Sequence, residues 1–164
     1  MASAKLPFNG RQTDDRPRAL VVDDDNIVRA LMAEILRTAG YSVYEAVNGA
    51  DGLAQARVLL PNVVVTDIFM PVQDGIEVLR HIKGEMPATR VVAVSGGSPR
   101  VPQMDMLLVA SKLGADATVA KPFTPAELLV AASADDHGMD SNVISLSAFR
   151  RKPSGRAAQL PSKV

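Results

Sequence analysis

Four places in this chain hold side chains that could do chemistry together, and each comes at the end of a short apolar run. Asp23, Asp24 and Asp25 follow Ala19-Leu20-Val21-Val22, and Thr66-Asp67 follow Asn62-Val63-Val64-Val65. Ser95 follows Arg90-Val91-Val92-Ala93-Val94, and Lys121 follows Ala117-Thr118-Val119-Ala120. If those runs are neighbouring strands, the acids crowd one another. A pair of carboxylates at about 4 Å repels by roughly 4 kcal/mol at an effective dielectric of about 20. A shared proton or a divalent cation relieves that repulsion, and oxygen-only ligands suit Mg2+ or Mn2+. An ammonium and a hydroxyl facing the acids would clamp phosphoryl oxygens. An aspartate held beside the metal could then attack phosphorus and keep the group as an acyl phosphate.

The elements that must position these groups alternate strictly. The four runs above, with Tyr41-Ser42-Val43-Tyr44 as the second in chain order, read as five strands. Four are apolar nearly throughout, as parallel strands covered on both faces are, whereas the second alternates and ends in Glu45, which suits an edge. Helices are expected between them. Asn26 to Ala39 carries Ile27, Leu31, Ile35 and Leu36 as a stripe, with Gly40 as its stop. Ala50 to Leu60 ends at Pro61, and Gly75 to Lys83 carries Ile76, Leu79 and Ile82 with Gly84 after it. Gln103 to Leu113 sets Met106, Val109, Ala110 and Leu113 on one face, and Pro125 to Ala132 follows Thr124, a good N-cap. Five strands alternating with five helices, joined by right-handed crossovers, predict a doubly wound parallel sheet in the order 2-1-3-4-5. In such a sheet the site lies beyond the carboxyl ends of the strands, where all four positions fall.

Composition narrows the function classes. With no cysteine among 164 residues there is no disulfide scaffold, zinc ribbon or thiol nucleophile. Eighteen basic residues balance eighteen acidic ones and aromatics make up 4%, which argues against a nucleic-acid coat protein. No apolar run approaches the roughly 20 residues of a membrane helix, and Met1 to Arg18 lacks the apolar core of a secretory signal. A cytoplasmic protein without membrane contact is expected. The charge is uneven along the chain. Residues 1–18 hold four basic and two acidic residues, residues 134–164 hold five and three, and the stretch between carries the balancing negative charge. The expected organisation is a flexible tail over 1–17, a domain over 18–133, and a polar tail over 134–164 that is expected to be disordered.

Taken in order, the stretches Val21-Val22-Asp23-Asp24-Asp25, Asp67-Ile68-Phe69-Met70-Pro71-Val72-Gln73-Asp74-Gly75, Val94-Ser95-Gly96 and Gly114-Ala115-Asp116 leading to Lys121-Pro122-Phe123 resemble the receiver domain of bacterial two-component response regulators. The resemblance covers some 70% of the chain (residues 18–133) and implies the flavodoxin-like fold. It implies Asp67 as phosphoacceptor and Asp24 as a direct Mg2+ ligand. Asp23 would hold the metal mainly through water, and the main-chain carbonyl of Phe69 would be a further ligand. Ser95 and Lys121 would contact the phosphoryl oxygens, and Lys121-Pro122 would be a cis peptide. The implied donor is a sensor histidine kinase or a histidine phosphotransfer protein. The implied output is a protein contact through the face made by the fourth helix, fifth strand and fifth helix.

One position departs from the family. Receivers usually carry Tyr or Phe three residues before the lysine, and Thr118 stands there. Readout is therefore expected through the loop after the fourth strand, where Gly96 and Gly97 loosen the backbone. No effector segment is recognisable beyond residue 133, so a stand-alone receiver is expected, with Mg2+-assisted self-phosphorylation and slow self-dephosphorylation rather than enzymatic turnover. Two alternatives remain: a degenerate receiver serving as a constitutive docking module, and a Mg2+-dependent phosphohydrolase. The second would want an acid two residues after the nucleophile, where Phe69 stands. The basic cluster Arg150-Arg151-Lys152 is too small to argue for nucleic acid.

Overall fold

The computed structural model describes residues 15–71, 74–96 and 103–133. The expectations for residues 1–14, Val72, Gln73, Gly97 and the tail over 134–164 lie outside the described residues. The elements in chain order are β1 (Arg18–Val22), α1 (Asn26–Thr38), β2 (Ser42–Ala46), α2 (Gly49–Leu59), β3 (Val63–Asp67), α3 (Gly75–Glu85), β4 (Arg90–Ser95), α4 (Gln103–Lys112), β5 (Ala117–Ala120) and α5 (Pro125–Ala132). All strands pair in parallel in the order β2-β1-β3-β4-β5, a flavodoxin-like doubly wound sheet.

The period-2 alternation of the central strands splits the core in two. Leu20, Val22, Val64, Val91 and Ala93 point to one face, where α2, α3 and α4 cover them with Leu53, Ala56, Val78, Leu79, Ile82, Leu107 and Ala110. Ala19, Val21, Val63, Val65, Val92 and Val94 point to the other face. There α1 supplies Met32, Ala33, Ile35 and Leu36, and α5 supplies Leu128, Ala131 and Ala132. Both faces of the three central strands are therefore dry. The fifth strand is the second edge, as the predicted order implies, but it is not covered on both faces as its apolar run suggested: only Val119 of its four residues is buried.

Side-chain caps set the helix starts. Asp25 accepts from the Ile27 and Val28 amides, Asn48 from Asp51, Asp74 from Glu77, and Thr124 forms a reciprocal capping box with Glu127. Three helical expectations are corrected. On α1 the inward stripe is Met32, Ala33, Ile35 and Leu36, while Ile27 and Leu31 are exposed. The helix carries two overlapping apolar lines, and the sheet covers one. On α4 the buried residues are Leu107 and Ala110, with Met106 half-buried and Val109 and Leu113 exposed, for the same reason. Gly84 does not stop α3, which runs on to Glu85 and is capped at Met86 through Ile82 O. A lone glycine costs a helix only about 0.5–1 kcal/mol. Pro17, expected in the flexible tail, already takes part in the sheet edge through its carbonyl and the Ser42 amide, 2.9 Å apart.

Candidate functional site

Register brings the chemistry together. Val22 pairs with Thr66, so the next residues, Asp23 and Asp67, stand side by side where β1 and β3 end. Asp67 pairs with Val94, and Ser95 with Ala120, so Ser95 and Lys121 step across β4 and β5 at the same end. Backbone bonding continues one residue beyond the strands. The Asp23 amide donates to Ala46 O at 3.2 Å, the Ile68 amide to Val94 O at 2.9 Å, and the Lys121 amide to Ser95 O at 2.8 Å. Each strand end is thus held by its neighbour rather than left as free loop.

The ammonium of Lys121 donates to Asp23 Oδ2 at 2.8 Å and lies 2.9 Å from Asp67 Oδ1. Both acids are buried, at 1% and 5% exposure, whereas Asp24 is open to solvent. Carboxylate oxygens of Asp23, Asp24 and Asp67 all lie within 4.8 Å of one another, an oxygen-only set among the described residues. That donor chemistry fits a hard divalent cation such as Mg2+. Burial pushes the Asp67 carboxyl above its ordinary range; the Lys121 hydrogen bond holds it down in part, and the charges of Asp23 and Asp24 add to the rise. Burial also works against the Lys121 charge, but its bonds to Asp23 and Asp67 outweigh that and raise its affinity for the proton.

The remaining expected positions are placed as follows. Ser95 is fully buried at the end of β4. Phe69 is half-buried, its side chain packed on the α2–α3–α4 side of the core. The Lys121-Pro122 peptide is cis. Gly96 lies on the Lys121 stem, where an added Cβ would meet Lys121 Cβ and Cδ at an ordinary 3.7 Å. Its φ is not positive, so the backbone freedom expected of glycine is not used there. Thr118 is exposed on β5.

Three residues at the site were not singled out from sequence. Arg29 of α1 donates to the Asp23 carbonyl at 2.8 Å and lies 3.5 Å from Glu45, bracing the turn that carries the acids. Gly75 packs its α-carbon on the Asp67 carbonyl, and its amide donates to Ile68 O at 3.0 Å. Gln103 donates from one amide nitrogen to Ser95 O at 2.5 Å and to Lys121 O at 2.9 Å. Asp74-Gly75 stood inside a motif that could have flagged the glycine. Arg29 and Gln103 act on main-chain carbonyls of distant residues, which no local pattern marks.

The strand order alone puts the protein in the flavodoxin-like class, and comparison with known proteins narrows that class. The family model described as the response regulator receiver domain matches residues 19–133, and the chain belongs to that family, the receiver modules of two-component systems. Among curated relatives, chemotaxis protein CheY of Thermotoga maritima is 33% identical over 115 residues, covering 70% of this chain and 92% of its own. Transcriptional regulatory protein PrrA of Mycobacterium leprae is 39% identical over 116 residues, 69% of this chain and 47% of that protein. The chain thus spans about half the length of the PrrA proteins it matches. Among solved structures, a receiver domain protein from Clostridium thermocellum superimposes with a TM-score of 0.64 at 29% identity, covering 70% of this chain and 90% of that one. A beryllofluoride-activated DrrB receiver domain gives 0.61 at 32% identity, covering 70% and 92%. No helix among the described residues is long and apolar enough to cross a membrane.

Proposed function

We propose that this protein is a phosphorylation-controlled receiver in which Asp67 is the phosphoacceptor. The observation that carries the reading is the Lys121 ammonium set between Asp23 and Asp67 at 2.8 and 2.9 Å, inside a cluster of three carboxylates. A carboxylate oxygen of Asp67 forms the new P–O bond while the donor's P–N bond breaks, its electron pair going to the donor imidazole. Lys121 and the Ser95 hydroxyl take the equatorial phosphoryl oxygens as negative charge collects on them. Asp23, Asp24, Asp67 and the Phe69 carbonyl would hold Mg2+, which when bound supplies positive charge to the phosphoryl oxygens. Water attack on phosphorus then releases phosphate and returns the Asp67 carboxylate.

The donor in this reading is a sensor histidine kinase or a histidine phosphotransfer protein, and the output is a protein contact or a further relay step. The face of α4, β5 and α5 suits such a contact because it leaves Met104, Leu108 and Val130 exposed. Placement in the cytoplasm follows from the donor.

Intact mass after incubation with acetyl phosphate tests the assignment. A single phosphoryl adduct is expected in the wild type, dependent on Mg2+ and absent from Asp67→Asn. An adduct that survives in Asp67→Asn would refute the phosphoacceptor. Absence of any adduct, with no Mg2+ binding in titration, would leave a docking module instead.

A further inference from the structure

The first residue of α4 is tied to both halves of the phosphoryl clamp. Gln103 Nε2 donates to Ser95 O at 2.5 Å and to Lys121 O at 2.9 Å. Ser95 O also accepts the Lys121 amide at 2.8 Å, so the two strand ends and the helix start meet at one carbonyl. Both side-chain hydrogen bonds described from α4 to the rest of the fold leave Gln103. From it the helix runs with Leu107 and Ala110 buried and Met104, Leu108 and Val109 exposed. The aromatic route across β5 is closed, because Thr118 carries no ring and faces solvent.

We propose that Gln103 is a positioning residue that transmits the state of the Ser95–Lys121 clamp to α4, and so sets the presentation of the apolar α4 face. This rests on the reading of Asp67 as phosphoacceptor. A carbonyl that rotates strains or breaks the hydrogen bonds it accepts, and one NH2 group of Gln103 serves both carbonyls. In this proposal the closing of Ser95 and Lys121 on the phosphoryl oxygens also turns their peptide planes. Gln103 must follow or release, and in either case the first turn of α4 moves. A main-chain strap of this kind needs no aromatic side chain.

The test uses the full chain, Mg2+ and beryllofluoride as the phosphoryl mimic, read by amide chemical shifts in the wild type, Gln103→Glu and Gln103→Ala. Glutamate keeps the size and suits a helix N-terminus but donates nothing to a carbonyl. Alanine removes the group without adding charge. In the wild type the mimic should shift amides both at 95 and 121 and along 103–112. In both variants the shifts at 95 and 121 should persist while the α4 response is lost, with the β3 amides responding to the mimic as they do in the wild type. A residue that served only to hold the fold would offset α4 equally with and without the mimic and leave the difference intact, which would overturn the proposal. An unresponsive α4 in the wild type would overturn it too, as would variants that fail to bind the mimic at all. If the wild type binds no beryllofluoride, the phosphoacceptor reading fails first, and the acetyl phosphate experiment reports that separately.

Discussion

Gly75 sits so close to Asp67 that a Cβ built on it would fall 2.0 Å from the Asp67 carbonyl oxygen, with Ile68 Cα 2.9 Å away. The N-terminus of α3 can approach the end of β3 this way only without a side chain, and the Gly75 amide bond to Ile68 O closes the turn at 3.0 Å. Gly75→Ala is therefore expected to force the phosphoacceptor strand and α3 apart. The neighbours are backbone and cannot yield by changing rotamer, so the loss should be at least about 1–3 kcal/mol. Urea unfolding measures it, and acetyl phosphate labelling should slow in parallel.

Asp67 is expected to oppose folding while no metal is bound. Its carboxyl is raised by burial, so the folded state holds the proton more tightly than the unfolded chain. Its contribution is thus least favourable above the folded value and improves as pH falls through it. At neutral pH without Mg2+, Asp67→Asn should melt at a higher temperature than the wild type. Mg2+ should raise the wild type relative to the variant: at ten times its Kd it adds about 1.4 kcal/mol to the wild type, and little to the variant. Calorimetry with EDTA and with Mg2+ checks both halves.

The Arg57–Glu85 fork between α2 and α3, with bonds of 2.8 Å to each oxygen and His81 at 3.4 Å, predicts an acid limb. The Arg57 bond holds the Glu85 carboxyl down at about 2, against 4.5 for an unperturbed group. Its stabilisation should be fully present above about 4.5 and fade as pH falls toward 2. Glu85→Gln should flatten stability against pH across that window. The pair is on the surface, so the difference between the two proteins should be small and shrink in high salt.

Two glycine exchanges should stabilise the chain in opposite directions of substitution. Leu60 ends α2 with φ at +46°, a left-handed conformation that favours glycine, and its side chain is largely exposed. Leu60→Gly should add up to about 1 kcal/mol. Gly84 lies inside α3 with nothing within 4 Å of an added Cβ. Gly84→Ala should add about 0.5 kcal/mol. Thermal melts of the two variants check both expectations.

Much of the architecture could be read from residue order, because strand and helix periods are local and are written into consecutive side chains. The apolar runs that close on Asp23, Asp67, Ser95 and Lys121 are β1, β3, β4 and β5, and their order is the one expected for a five-stranded doubly wound sheet. Parallel pairing then makes Asp23 and Asp67 neighbours with little further freedom. What residue order could not settle was non-local. Ile27 and Leu31 form as good a stripe on α1 as Met32 and Leu36 do with Ile35, and the choice between them belongs to β1, β2 and α5, which cover one line and leave the other in water. The outer position of β5 was implied by the predicted order, but the burial it strips from residues whose types read as core was not legible in the run itself. The bonds of Arg29 to the Asp23 carbonyl and of Gln103 to the carbonyls of Ser95 and Lys121 join side chains to main-chain atoms 6, 8 and 18 residues away. A carbonyl is the same group at every position, so only the folded path of the backbone decides which one a given donor meets.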